Sequence, residues 1–221
     1  MNVNDILSII QLIGFFSFTV SATIIAAKKG ADIIGALVFT LLTGFGGGFM
    51  RDLILGFHPP HMLSDRNYLL SALFCILLCI LLYYLFFVER LKNFFLMHEH
   101  DFWIDFSDAI GLAVFCVCGV DVAVEIAGRD NVVLLIFCGV LTGVGGGVLR
   151  DVCSAELPAI FRKHIYILPT LVGASFYVFT YYHFAWIPHI PAMLVSIGIV
   201  VIIRVLAICF KWNLPTPIKK R

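Results

Sequence analysis

A ten-residue phrase occurs twice in this chain and restricts the possible folds more than any other feature. The stretch TGFGGGFMRD at 43–52 returns, 99 positions later, as TGVGGGVLRD at 142–151. Glycine is a poor residue for a helix interior, and Arg and Asp are costly in lipid. We expect a glycine run and a charged pair to recur in an apolar segment only where the fold needs close backbone approach, a helix break or a polar pathway. The phrase therefore marks a duplicated architecture and a candidate site.

The composition of the chain indicates that the repeated phrase lies within a membrane protein. Of 221 residues, 61% are hydrophobic and 13% are charged, which is far from the balance of a soluble domain. A membrane span needs about 20 mostly apolar residues. The chain offers seven such segments, at 6–27, 31–56, 68–88, 103–126, 132–153, 165–186 and 188–210. We predict an all-α membrane protein that sits in a lipid bilayer.

Other function classes find little support in the sequence. A net charge of +1 without a long basic tract argues against nucleic acid. No Ser-His-Asp arrangement, HExxH motif or catalytic carboxylate pair stands in one span, so we expect no enzyme. The stretches HPPH at 58–61 and HEHD at 98–101 are interpreted as solvated loops, with no metal or cofactor. Reduced, buried thiols are expected at Cys75, Cys79, Cys116, Cys118, Cys138, Cys153 and Cys209.

The spacing of the two phrases predicts an inverted repeat. Each copy of about 100 residues holds three spans, and an odd number makes the second copy enter the membrane from the opposite side. Gly14 and Gly111 recur in the first and fourth spans, and Pro59 and Pro158 each follow the Asp of the phrase by seven residues. We predict repeats at 1–95 and 101–187, then a seventh helix with a basic tail at 188–221. A duplication that merely enlarged a helical bundle is the alternative.

Basic residues outside the spans predict the orientation. With the N-terminus outside, only Arg66 and Arg129 fall on the outer side. The cytoplasmic side then holds Lys28, Lys29, Arg90, Lys92, Arg162, Lys163, Lys211, Lys219, Lys220 and Arg221. We therefore expect an N-terminus outside and a C-terminus in the cytoplasm.

The glycines of the two phrases straddle the expected midplane of the bilayer. They either break the helix to line a pathway or only let helices pack closely, and the two roles can coexist. The candidates are Gly44, Gly46, Gly47, Gly48, Gly143, Gly145, Gly146 and Gly147. Arg51 and Asp52 are expected toward the outer mouth, and Arg150 and Asp151 toward the inner one. Each Arg either extends to the headgroups or pairs with an Asp on another element.

The first and fourth spans add further polar candidates. Asp108 lies toward the inner end of the fourth span and Asp121 toward its outer end, where carboxylates would concentrate cations. They could equally be partners of the motif arginines or ordinary interfacial residues. Ser17 and Ser21 place two hydroxyls on one face of the first span, although such hydroxyls commonly bond their own backbone. In the last span, Arg204 is expected to extend toward the headgroups.

The doubled phrase, the three-plus-three-plus-one helices and the length together resemble the prokaryotic trimeric intracellular cation (TRIC) channels. That family overlaps the bacterial inner-membrane family labelled as a glycine-transporter domain. The resemblance implies a homotrimer with one pore in each protomer, permeable to potassium or sodium. It also implies that glycine-broken second and fifth helices line the pore, at 44–52 and 143–151.

Two function classes are compatible with these residues. A monovalent cation channel would hold a continuous wet path whose selectivity depends on carbonyls, hydroxyls and mouth charges. A secondary transporter would instead rock around a midplane site that binds a small amino acid such as glycine. The acidic fourth span favours the channel, whereas the glycine amides would suit a carboxylate.

Overall fold

The structure is a computed structural model that describes residues 3–87, 102–162 and 165–212. In chain order its α-helices are α1 (Val3–Lys28), α2 (Ile33–Ile54), α3 (His61–Ser64), α4 (Arg66–Phe87), α5 (Phe102–Ala127), α6 (Val132–Cys153), α7 (Ala159–Arg162), α8 (Ile167–Tyr177) and α9 (His189–Cys209). Helix α8 continues as a π-helix over Val178–His183. No strand occurs in these three ranges. The predicted repeat boundary at 95–101 and the tail at 219–221 lie outside them.

The predicted seven-helix membrane fold is confirmed. Among the described residues, α1, α2, α4, α5, α6 and α9 are each long and apolar enough to span a membrane. The remaining predicted span, 165–186, consists of the 11-residue α8 and the six-residue π-helix. The short helices α3 and α7 were not predicted, and each follows one copy of the repeated phrase.

The ends of α2 and α6 show why the two repeats fold alike. Asp32 caps α2 by accepting a hydrogen bond from the Gly35 N–H at 2.8 Å, and Asn131 caps α6 in the same way through the Leu134 N–H at 3.0 Å. Asp32 and Asn131 are separated by the same 99 positions as the two phrases. The polar caps therefore start the equivalent helices at equivalent positions.

The glycines of the repeated phrase bring α2 and α6 into backbone contact. A Cβ atom built on Gly47 would overlap the Thr142 carbonyl oxygen, and one built on Gly146 would overlap the Thr43 carbonyl oxygen. Because the two contacts are reciprocal, a pseudo-twofold axis relates the repeats at this crossing. The inverted repeat is thus built around its own signature sequence.

The expectation of broken second and fifth helices was wrong. Both α2 and α6 run through their glycine stretches as uninterrupted α-helices. The physical reason is that the opposite backbone fills the space left by the missing side chains, so close packing replaces unwinding. The glycines leave the hydrogen-bond ladder of each helix intact.

Helix α5 forms the centre of the bundle, and α4 lies at its edge. A Cβ atom on Gly14 of α1 would be 2.8 Å from Val114 Cγ1, and one on Gly111 would overlap the Phe18 ring, so α1 and α5 also cross closely. Most of α5 is buried, whereas α4 exposes leucines such as Leu73 and Leu77. In a bilayer such exposed apolar faces are suited to contact with lipid.

The cysteine prediction holds for five of the seven residues. All seven thiols are free, and Cys75, Cys79, Cys116, Cys118 and Cys138 are buried. Cys153 and Cys209 are exposed instead, because both end a helix at the bundle surface.

The α2–α6 crossing leads to a stability prediction. Gly146→Ala is expected to lower the free energy of unfolding by about 1–3 kcal/mol, because the added methyl group would push the two backbones apart. Gly198→Ala in α9 is the matched control, since no atom lies within 4 Å of its built Cβ and alanine favours a helix. Unfolding by SDS titration in mixed micelles measures both variants. Equal stability of both variants would contradict the crossing.

Candidate functional site

The Arg51–Asp52 pair is buried at the end of α2. The Arg51 Nε and Nη2 atoms donate hydrogen bonds to Asp52 Oδ1 at 2.9 and 2.6 Å. Asp52 Oδ2 accepts a bond from the backbone N–H of His61 at 2.9 Å and lies 3.3 Å from His61 Nδ1. The carboxylate thus joins the end of α2 to the first residue of α3.

The second copy of the phrase repeats this arrangement. Arg150 Nε and Nη2 donate to Asp151 Oδ1 at 3.0 and 2.8 Å, and Asp151 Oδ2 accepts from the Ala159 N–H at 2.8 Å. Arg150 Nη1 also lies 3.7 Å from Asp108 Oδ1 on α5. Among the described residues, only this copy adds a carboxylate from another helix.

These contacts bear on the expectation that each Arg extends to the headgroups or pairs with an Asp on another element. Both arginines are bound most closely by the Asp that follows, because the long side chain folds back over the last helical turn. Of the two, Arg150 also has the expected Asp on another element, Asp108 at 3.7 Å. A buried guanidinium needs a close carboxylate, and the neighbouring residue supplies it without disturbing the helix.

Two adjacent cavities lie at the end of the bundle that holds the start of α1 and the end of α5, which we term the N-terminal face. The wider one, the vestibule, has a volume of about 280 Å³, and its polar lining includes Ser8, Gln11, Asp65, Asn67, Asp121 and Glu125. The narrower one, the neck, has a volume of about 20 Å³ and is lined by Gly44, Gly48, Arg51, Asp52, Phe115 and Thr142. His61, Tyr68 and Cys118 line both cavities. Because these residues are shared, the two cavities adjoin, with the neck nearer the α2–α6 crossing, and we term them together the funnel.

The position of His61 corrects the interpretation of the 58–61 stretch as a solvated loop. Its ring stacks on Phe57 with centroids 4.0 Å apart, and it stands where the vestibule meets the neck. No sequence pattern indicates this contact, because it depends on α3 folding back onto Asp52. No group of three or more potential metal ligands occurs in the described ranges, and the 98–101 stretch lies outside them.

Asp121 is held at the vestibule by three side chains that the sequence did not reveal. Its Oδ1 accepts hydrogen bonds from the hydroxyls of Tyr177 and Tyr182 at 2.6 and 2.7 Å, and His189 Nε2 lies 3.4 Å from its Oδ2. The two tyrosines are five residues apart, a spacing that a π-helix brings onto one face. The π-helix therefore has a local role in orienting this carboxylate.

A second buried polar cluster lies near the opposite end of the bundle, the C-terminal face, where α1, α6 and α9 end. The Tyr166 hydroxyl donates to Asp108 Oδ2 at 2.6 Å. The Arg204 guanidinium lies over the Tyr166 ring, with its carbon 4.4 Å from the centroid, and Nη1 donates to the Ile165 carbonyl oxygen at 3.3 Å. Arg204 is only 1% exposed, so the expectation that it extends to the headgroups was wrong.

The other predicted residues are distributed between the funnel and the helix crossings. Only Gly44 and Gly48 among the candidate glycines line the vestibule or the neck. Gly46, Gly47, Gly145 and Gly146 lie at the α2–α6 crossing, and Gly143 packs against Leu112 and Cys116 of α5. Ser17 and Ser21 are buried. The Ser17 carbonyl accepts from Ser107 Oγ at 2.6 Å and Ser21 Oγ donates to the Phe18 carbonyl at 3.1 Å, so neither serine lines the funnel.

Comparison with known sequences agrees with the duplicated fold. A family model described as "Glycine transporter" matches the chain twice, at residues 8–84 and 105–182. The chain is 32% identical to the UPF0126 inner membrane protein YadS of Escherichia coli (strain K12) and 30% identical to the UPF0126 membrane protein YvgT of Bacillus subtilis (strain 168). Each alignment covers 94% of both proteins.

Solved structures of channels share this architecture. One solved structure is described as "Structural basis for conductance through TRIC cation channels". It is 33% identical to this chain, with a TM-score of 0.78 and complete coverage of both chains. A prokaryotic TRIC channel in 0.5 M KCl is 30% identical, with a TM-score of 0.78 over 96% of this chain and 100% of the other. The TRIC orthologue from Rhodobacter sphaeroides is 28% identical, with a TM-score of 0.75 over 93% and 98%.

Proposed function

We propose that this chain, which belongs to the glycine-transporter family and shares its fold with prokaryotic TRIC cation channels, conducts monovalent cations through each protomer. The observation that carries the proposal is the funnel formed by the vestibule and the neck. It leads from the N-terminal face to the glycine crossing that relates the two repeats. This cavity, open to one face of the bundle, supports a proposed route for ions through each protomer.

The charges of the funnel favour cations. Asp65, Asp121 and Glu125 line the vestibule, and among the described residues no Lys or Arg does. A cleft lined by one sign of charge raises the local concentration of counter-ions. We therefore propose that the vestibule collects potassium or sodium ions before they enter the neck.

The neck combines paired charges with exposed backbone. Arg51 is neutralised by Asp52, so this arginine does not present an unpaired positive charge to a passing ion. Gly44 and Gly48 leave room that side chains would fill, and Thr142 adds a polar side chain to the lining. We propose that selectivity among monovalent cations depends on these groups and on Asp108 in the second half of the path.

The proposed assembly is a homotrimer in the bacterial inner membrane. The solved relatives are trimeric channels, and the E. coli relative is an inner membrane protein. The excess of basic residues on one side supports an N-terminal face directed outward and a cytoplasmic C-terminus. The vestibule would then collect cations from outside the cytoplasm.

A secondary transporter of a small amino acid is the second candidate. The observation that favours it is a cavity that reaches one face and narrows toward the α2–α6 crossing, as alternating access requires. Liposome assays separate the two candidates. Purified protein is expected to pass potassium down its gradient without saturating up to molar salt, and to accumulate no glycine. Saturable glycine uptake without potassium flux would favour the transporter.

A further inference from the structure

Two of the positions at which the copies of the repeated phrase differ line the neck. The first copy has Phe45 and Phe49 where the second copy has Val144 and Val148. Phe45 and Phe49 lie one turn apart on the same face of α2, and both line the neck. The two valines line neither the neck nor the vestibule. The phrase thus carries aromatic side chains only in the copy that forms the neck.

Helix α5 adds a third ring to the neck, and the rings are held from behind. Phe115 lines the neck, stacks on Phe18 with centroids 5.3 Å apart, and meets Phe15 edge to face at 4.7 Å. Phe15 in turn stacks on Phe45 at 4.6 Å. A Cβ atom built on Gly14 would already lie 3.0 Å from Phe115 Cε2, so α1 leaves this ring little space to move. The aromatic wall of the neck is therefore fixed by packing.

These rings leave room for a single small particle. The neck has a volume of about 20 Å³, and a cavity needs about 10–15 Å³ to hold one water molecule. Gly44 and Gly48 also line the neck, so part of this space exists because two residues have no side chain. A potassium ion is close to water in size, whereas an alkylated ammonium ion is much larger. The Arg51–Asp52 pair in the same lining is internally neutral, which leaves size as the main restriction.

We infer that the rings of Phe45, Phe49 and Phe115 determine the largest cation that the neck admits. The inference rests on the proposed channel function and specifies its permeant class: cations of about the size of potassium pass, and alkylated ammonium ions are excluded. The vestibule then collects cations by charge, and the neck selects among them by size. The three phenylalanines are the residues that set this specificity.

Two substitutions widen the neck at low cost to the fold. Phe49→Val places in the first copy the residue that the second copy carries at the equivalent position, and Phe49 is only partly buried. Phe115→Leu keeps an apolar side chain against Phe18 but removes the ring. Phe15→Leu is the matched control, because Phe15 is a buried member of the same ring cluster that lines neither cavity.

Reversal potentials under bi-ionic conditions measure the size limit. Purified protein in a planar bilayer faces potassium on one side and, in turn, ammonium, dimethylammonium or tetramethylammonium on the other. The unmodified protein is expected to pass ammonium about as well as potassium and to exclude tetramethylammonium. Phe49→Val and Phe115→Leu are each expected to raise the dimethylammonium-to-potassium permeability ratio at least about threefold, because a narrow apolar lining restricts ions by diameter. The ammonium ratio should not change, and Phe15→Leu should match the unmodified protein.

Three results would overturn the size limit while leaving the channel intact. One is an unmodified protein that passes tetramethylammonium as readily as potassium. Another is a dimethylammonium ratio that neither Phe49→Val nor Phe115→Leu changes in conducting protein of unaltered elution volume. The third is an equal rise for Phe15→Leu, which would attribute the effect to loosened packing. An unmodified, folded protein without any unitary current would instead refute the proposed channel function, and the size limit with it.

Discussion

Asp151→Ala is expected to destabilise the folded protein by about 3–5 kcal/mol, the usual cost of removing one partner from a buried ion pair. The change removes the hydrogen bonds that Asp151 accepts from Arg150 and from the Ala159 N–H. Arg150 would keep only Asp108, at 3.7 Å, as a carboxylate neighbour among the described residues. The remaining positive charge is almost completely buried, so its desolvation would be poorly offset.

The free energy of unfolding in mixed micelles measures this effect. Lys29→Ala is the matched control, because Lys29 pairs with Glu156 at the same face but is partly exposed. Pairs of that kind contribute about 0–1 kcal/mol. A loss of less than 1 kcal/mol for Asp151→Ala would mean that the pair is hydrated in the folded protein, which would contradict its burial.

The double variant Asp65→Asn with Glu125→Gln is expected to lower the unitary potassium conductance on the order of threefold to tenfold in 0.1 M salt. Both changes remove charge from the vestibule with little change in side-chain size. Asparagine at 65 can still accept the bond from the Asn67 N–H that starts α4. Asp121 is left unchanged, so its tyrosine contacts remain.

Salt dependence distinguishes this electrostatic effect from a structural one. The Debye length falls from about 10 Å at 0.1 M to about 3 Å at 1 M, so the variant should approach the conductance of the unmodified protein at high salt. Asp130→Asn is the control, because Asp130 is exposed at the same face but does not line the vestibule. A fall in conductance that is equally large at both salt concentrations would contradict the role of the vestibule charges.

The repeat and its spans could be predicted because they depend on local sequence. Long apolar segments, the paired caps Asp32 and Asn131, and the doubled phrase recur at fixed spacing, and each acts through its own helix. Because each repeat holds three spans, an odd number, the second repeat had to be inverted relative to the first. The fold therefore followed from patterns that need no knowledge of distant contacts.

The arrangement of the site depended on contacts that no local pattern specifies. A glycine stretch suits an unwound helix and a close crossing equally well, and only the approach of the Thr142 carbonyl to Gly47 decides between them. The contact of Arg204 with Tyr166 joins residues on different helices and depends on how α9 packs on Gly173. The same holds for His61, whose position depends on the turn that brings α3 back to Asp52.

The most direct test of the central claim is the reversal potential of single-channel currents under a potassium chloride gradient. Purified protein in a planar bilayer is expected to give discrete currents that reverse near the potassium equilibrium potential. Such a result would mean that a continuous, cation-selective path crosses the protein. Currents that reverse near the chloride potential, or a correctly folded trimer that gives no unitary current, would contradict the account.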